Sequence, residues 1–422
     1  MTAAMTCAPA PETAAKRLGP REFVVLMAFL QALQALAVDS MLPALGHMAA
    51  DLHLQDANQR QLVVGIFLIF GGLGCLVPGT LADRYGRRRV LMASLGFYIV
   101  CTIGCALVTN FWQLLAMRAI LGFTCAGLAV LPAAIIRDWY EGDQMARLQS
   151  MVAMVFMVVP MIAPSIGQAV LLVASWRWIF GVMAVLAGLV AAWTWVRLPE
   201  TLHPEYRQPI QFGPLMRTMG DVTANRAAFG YVFGMALIQG ALFGYINSSQ
   251  QLVAEHFGAG SRFPLVFACM ASMMAMTNFV NARIVERFGA RRVSHTALLV
   301  YICTSAVQLT LALYEAETLY RFIAVMTVNV CLMGFIGSNF ASISLQPFAR
   351  TAGAAASAQS FIRMVLASSL GALVGQAYDN SARPLAFAMV ATGALALLLV
   401  LYSEHGKLFR RLIPPGAPRP RA

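Results

Sequence analysis

The sequence predicts an all-α polytopic membrane protein of twelve spanning helices, set as two parallel six-helix repeats. Three observations lead there. Of 422 residues, 59% are hydrophobic and only 11% are charged, whereas a soluble chain carries about 25% charge and could not stay in water with so little. The apolar residues fall in long unbroken runs, and a spanning helix needs about 20 of them; a porin-type barrel would alternate polar and apolar instead. The arginine-rich stretch behind the second run recurs behind the eighth.

The order of elements follows from the runs. Residues 1–22 form a small, polar tail without the apolar core and cleavage site of a signal peptide. Six runs follow, near 23–45, 61–82, 90–109, 111–136, 148–173 and 177–196. A polar linker, 197–226, carries Pro199, Pro204, Pro209 and Pro214 and separates them from six more. Those lie near 227–249, 263–284, 292–312, 318–340, 352–377 and 384–402, ahead of a tail at 403–422. The expected units are therefore bundles at 23–196 and 227–402.

Charge placement gives orientation. With the N-terminus in the cytoplasm, 23 Lys and Arg fall on the cytoplasmic side and 5 on the other, with Arg118 and Arg363 inside spans. Such a bias places both termini in the cytoplasm. It also accounts for the net charge of +12 without a nucleic-acid partner. The eight Cys form no CxxC, and no His pair has metal-ligand spacing, so neither a disulfide framework nor a metal site is expected. No P-loop, HExxH, HxxxxD or GxSxG occurs, which removes ATP drive and the corresponding enzyme chemistries.

GTLADRYGRRRV (79–90) aligns with ARIVERFGARRV (282–293) at an offset of 203, pairing Gly86 with Gly289 and Asp83 with Glu286. Both copies fall on the same side, so the halves are parallel repeats, and transporters built this way bind substrate between the halves near the bilayer midplane. Gly79 would permit close helix approach, and Gly86 a tight turn. Asp83 would pair with arginines or a helix N-terminus, while Arg84, Arg87 and Arg88 hold the loop at the surface. Two readings stand: a gate latch toward the other half, or a cluster that sets topology alone.

These residues resemble the GxLaDrxGRrxxl signature of the major facilitator superfamily. MRAILGFTCAG, with Arg118 and Gly122, is similar to a pattern of proton-coupled members. VVPMIAPSIGQAV, with Pro160, Pro164 and Gly167, is similar to the antiporter motif. Together with AVDSMLPALGHMAADL, IIRDWYEGDQMARLQS and SWRWIFGVMAVLAGLV, the first half looks like the Bcr/CflA group of drug:proton antiporters. The resemblance implies a proton-coupled exporter of small amphipathic drugs or antibiotics in the bacterial inner membrane. It implies no cofactor beyond the proton, and a monomer whose partners are substrate and lipid. A dedicated exporter of one metabolite or siderophore, or a non-transporting receptor, are the alternatives.

Asp39 is the only acid well inside any run, and a charge at bilayer depth is functional by default. It lies about 9 Å before the end of its run, and Arg118 about 10 Å inside the fourth. The matched depths lead us to expect a pair. Burial favours a neutral carboxyl and a guanidinium favours a charged one, so a group balanced between them can load and release a proton. The other reading of Asp39 is a residue at a frayed helix end beside Pro43. Gln31 and Gln34 stand where related exporters can carry a second acid, which leans toward neutral or zwitterionic substrates. Tyr231, Gln239, Tyr245 and Asn247 are expected to line the cavity. Arg363 either meets an anionic substrate, pairs with an acid, or snorkels toward the surface.

Overall fold

In a computed structural model the described residues are 18–409, apart from 55, 141, 203–204, 206, 208–212 and 315–316. The tails at 1–17 and 410–422 lie outside them. The first crossing is α1 (Pro20–Asp39), a 3-10 turn at Leu42–Ala44 and α2 (Leu45–Asp51). It runs 32 residues, past the predicted end at 45. Pro43 sits in the first turn of the 3-10 element, where its missing N–H costs nothing, so it interrupts the α-helix without ending the crossing. Asp39 is therefore about 18 Å from the end at Asp51, twice the depth expected.

The second crossing is α3 (Leu62–Gly74) and α4 (Val77–Tyr85), bent by 44°. Then follow α5 (Arg87–Leu107), α6 (Phe111–Trp139), α7 (Gly142–Val173) and α8 (Arg177–Arg197). The linker contains α9 (Gly213–Ala224). The second half comprises α10 (Arg226–Gln250), continued by a π-helical turn at Gln251–His256, α11 (Phe263–Phe288), α12 (Ala290–Leu313), α13 (Leu319–Leu345), α14 (Ala352–Gln376) and α15 (Arg383–Ser403). Among the described residues, eleven helical segments, the first crossing with its 3-10 turn included, are long and apolar enough to span, and the bent pair makes a twelfth.

In the first half α3 and α5 pack on α6, α8 covers α5, and α1 lies along α7; in the second, α10 packs on α14 and α15, and α12 on α13 and α15. The halves meet where α3 touches α14 and α7 touches α11. The hydrogen bonds joining the halves between described residues all lie at one end, opposite the arginine-rich end. There Asn58 Nδ2 donates to the carbonyls of Gln376 and Tyr378 (3.2 and 2.7 Å), and Gln376 Nε2 returns a bond to the Asn58 carbonyl (2.7 Å). Gln61 and Gln251 bond through their amides, and Arg60 pairs with Glu255 at 2.6 Å. Arg60, Gln61 and Gln251 are all buried.

At the same end, the loop between α12 and α13 lays Glu317 against Gln308 of α12, whose amide donates to it. Burial pushes the Glu317 carboxyl up from 4.5 to about 7, against the opposing effect of that bond. The folded chain thus holds this proton more tightly than the unfolded one, so stability falls as pH rises from about 4.5 to about 7. Glu317→Gln should flatten that part of the thermal midpoint against pH profile of the purified protein; an unchanged slope would refute the assignment.

Candidate functional site

Asp39 closes α1 and is 6% exposed. Its carboxylate has no hydrogen-bonding or ion-pairing partner among the described residues. Arg118 of α6 is fully buried, as its place in a span requires, and lies level with Ala37, two residues from Asp39. The expected Asp39–Arg118 pair is nevertheless not formed. Arg118 Nη1 donates to the Ala37 carbonyl (2.9 Å) and Nε to the Val63 carbonyl (3.0 Å), with the guanidinium 4.4 Å from the centre of the Phe67 ring. The reason is local. α1 ends at Asp39, so carbonyls in its last turn lack helical donors, and a cation at a helix C-terminus is favoured. Arg118 Nη2 is left without a protein partner.

The 79–90 segment folds onto its own half. Gly86 adopts φ 101°, which a side chain rarely tolerates, and links α4 to α5. Glu200 Oε1 accepts from the Arg87 and Arg88 backbone N–H groups (2.7 and 3.4 Å), capping α5. Arg87, 4% exposed in its side chain, bridges Asp83 (2.7 Å) and Asp138 (3.0 Å). Arg88 donates to the Trp195 carbonyl (2.5 Å), and Arg84 lies over the Tyr85 ring. The expected pairing of Asp83 with an arginine is formed, to Arg87 of its own half. One expectation is corrected: a methyl group added at Gly79 would meet nothing within 4 Å, so this glycine makes no close helix approach here. Glu200 and Asp138 were not singled out in the sequence, because nothing local marks an acid 113 residues from the N–H it caps.

Pro160 and Pro164 lie inside the continuous α7. Gly167 faces the break in the first crossing: a side-chain carbon there would overlap the Ser40 carbonyl and sit 3.1 Å from Pro43. The predicted cavity residues separate. Gln31 and Gln34 are half-buried on α1. Tyr231 is not a cavity residue. Its hydroxyl donates to Glu404 (2.6 Å) and lies 3.0 Å from His295 Nε2, at the arginine-rich end of the second half. Burial pushes the Glu404 carboxyl up, but hydrogen bonds from Tyr231 and Arg291 outweigh it and leave it below its ordinary value. Tyr245 donates to Met270 Sδ (2.9 Å) inside the second half. Asn247 is buried near the seam between the halves, with neither amide atom partnered by protein. Gln239 does line a cavity of about 170 Å³ between α10, α11 and α13, with Met235, Leu242, Met274, Asn278, Met333 and Ser338. Arg363, midway along α14, donates to Gln239 Oε1 at 3.3 Å.

The family model described as Major Facilitator Superfamily matches residues 27–375. The chain belongs to the major facilitator superfamily. It is accordingly a secondary active transporter of small molecules embedded in the bilayer, not an enzyme. It is 27% identical over 379 residues to an uncharacterized MFS-type transporter, YdgK, of Bacillus subtilis, covering 88% of this chain and 93% of that one. A bicyclomycin resistance protein homolog of Haemophilus influenzae is 25% identical over 396 residues, with 92% and 98% covered. Among solved structures, a bacterial homolog of the human lysosomal transporter Spinster, inward-facing and unoccupied, superimposes with a TM-score of 0.71 at 16% identity, covering 92% of this chain and 96% of that one.

The two motif glycines give contrasting expectations. Gly167→Val should lower stability by about 1–3 kcal/mol through overpacking. Gly79→Ala should stay within about 0.5 kcal/mol of the parent. Thermal unfolding of both variants in detergent checks this, and equal midpoints would contradict the packing described.

Proposed function

We propose that this transporter is a proton-coupled antiporter that exports small amphipathic drugs or antibiotics across the bacterial inner membrane. In this reading the bundles 23–196 and 227–402 move as units, both termini are cytoplasmic, and one chain suffices. The observation that carries it is Asp39, an acid deep in the bilayer, buried and unpartnered beside a helix break that Arg118 caps. Burying an unpaired carboxylate is costly, so the site favours holding a proton whenever water is excluded. The 23 to 5 charge bias supports turning the joined end outward and the arginine-rich end toward the cytoplasm, from which substrate would enter. The resistance name of the Haemophilus relative agrees with export of an antibiotic-like molecule.

The cycle follows from these parts. When the Arg60–Glu255 seam parts, water reaches Asp39 from outside and a proton loads. Neutral Asp39 relieves the cost of reclosing the seam, and opening on the cytoplasmic side lets the proton leave. Arg118 holds α1, α3 and α6 in register through the carbonyls of Ala37 and Val63, so the break follows the state of its neighbour. Pro160 and Pro164 allow α7 to bend with it.

Asp39→Asn should abolish efflux driven by an imposed pH gradient in proteoliposomes while leaving the thermal midpoint and monomer peak unchanged. Full proton-coupled efflux by this variant would remove Asp39 as the carrier. In a pump-deficient bacterium, resistance that persists after the proton gradient is collapsed would remove proton antiport altogether.

A further inference from the structure

We propose that the cavity in the second half selects molecules bearing one oxyanion, a carboxylate or a group of like geometry, on a compact apolar body, with Arg363 as the anion-binding residue. This deepens the transport reading above by naming the class of substrate.

The argument starts from charge balance at bilayer depth. α14 is helical from Ala352 to Gln376, which puts Arg363 about 16 Å from one end and about 20 Å from the other. At that depth the guanidinium cannot snorkel to either surface. α3 and α14 touch down to the level of Gly72, where a side-chain carbon would lie 3.1 Å from the Val365 backbone nitrogen. Arg363 is two residues further on, just past the level where these helices make their close contact. No carboxylate among the described residues pairs with it. Its hydrogen bond is the long one to a neutral amide, Gln239 Oε1 at 3.3 Å.

The other buried charges differ. Arg118 is held by two carbonyls, and Arg87 by two carboxylates. Arg118 also lacks a carboxylate and keeps one unpartnered nitrogen, but it is fully buried, whereas Arg363 is half-buried and so within reach of a ligand. An unpaired cation in a low-dielectric site attracts an anion strongly. A planar guanidinium fork matches a carboxylate with two parallel bonds. Gln239 joins the two parts of the site, since it accepts from Arg363 and also lines the cavity. The cavity walls carry Met235, Met274 and Met333, flexible apolar side chains that adapt to varied bodies. They add no charge that would select a cation.

Three molecules of one shape test this: naphthoate, naphthamide and naphthylmethylammonium, titrated into the purified protein in detergent by calorimetry with no pH gradient. We expect naphthoate to bind roughly tenfold or more tightly than the amide, and the ammonium least tightly. Arg363→Gln should erase the preference for the acid, and Arg363→Lys, which keeps the charge, should retain part of it. Both variants are checked for monomer elution and thermal midpoint, and a folded Lys variant keeps the test valid where the Gln variant unfolds. Equal binding of acid and amide, undetectable binding of the acid, tightest binding of the ammonium, or a preference that survives Arg363→Gln would each overturn the proposal. If the acid preference holds while pH-driven efflux is absent, the transport reading fails and this one stands; intact efflux without the preference gives the reverse.

Discussion

The seam that joins the two halves at a single end governs the rest of the architecture. Asn58, Arg60 and Gln61 meet Gln251, Glu255, Gln376 and Tyr378 there through side-chain amides, backbone carbonyls and one ion pair. It is a polar closure in a chain that is otherwise apolar. Four of its buried atoms, Gln61 Oε1, both amide atoms of Asn247 and Gln250 Oε1, find no protein partner. Each such atom costs about 1–3 kcal/mol when kept from water. The closed seam therefore stands against a standing pull from solvent, and parting it would satisfy groups that closing it leaves unmet. A seal of leucines would be harder to reverse.

With the seam closed, the charge networks of Arg87 and Arg291 at the arginine-rich end each stay within their own half. In the first half Asp83, Asp138 and Glu200 consume Arg87 and the α5 N-terminus. In the second, Glu404 takes Arg291 at 2.7 Å together with Tyr231. The repeat that relates the halves in sequence thus becomes two similar but separate charge networks. Each half carries its own internal ties at that end.

Most of the helical plan was legible because a bilayer leaves few options. Apolar runs of the right length must become helices, and the ends of α5 to α8 and of α10 to α15 fall close to where the runs stop; α9, in the polar linker, answers to no run. Asp39 lies deeper than the run suggests because a proline in the first turn of a 3-10 element interrupts a crossing without ending it. The Asp39–Arg118 pair was inferred from depth alone, which says nothing about competing acceptors; the backbone carbonyl of Ala37 is invisible in a list of side chains. Tyr231 and Gln239 lie on one helix, yet one is locked to Glu404 and the other opens on a cavity. That difference depends on partners distant in sequence, such as Glu404, which is 173 residues from Tyr231. The seam itself could not be read, since amides scattered over positions 58, 61, 251 and 376 carry no local pattern.

The contact between Gly167 and Ser40 has a mechanical consequence. α7 bears on α11 of the other half along one flank and on the broken first crossing along another. Its bare glycine face rests on the carbonyl of Ser40, the residue immediately after Asp39. Lacking a compressible side chain, that joint passes displacement directly from backbone to backbone. A shift of the second half would thus reach the neighbour of Asp39 as a push on the main chain, through a linkage with almost no slack.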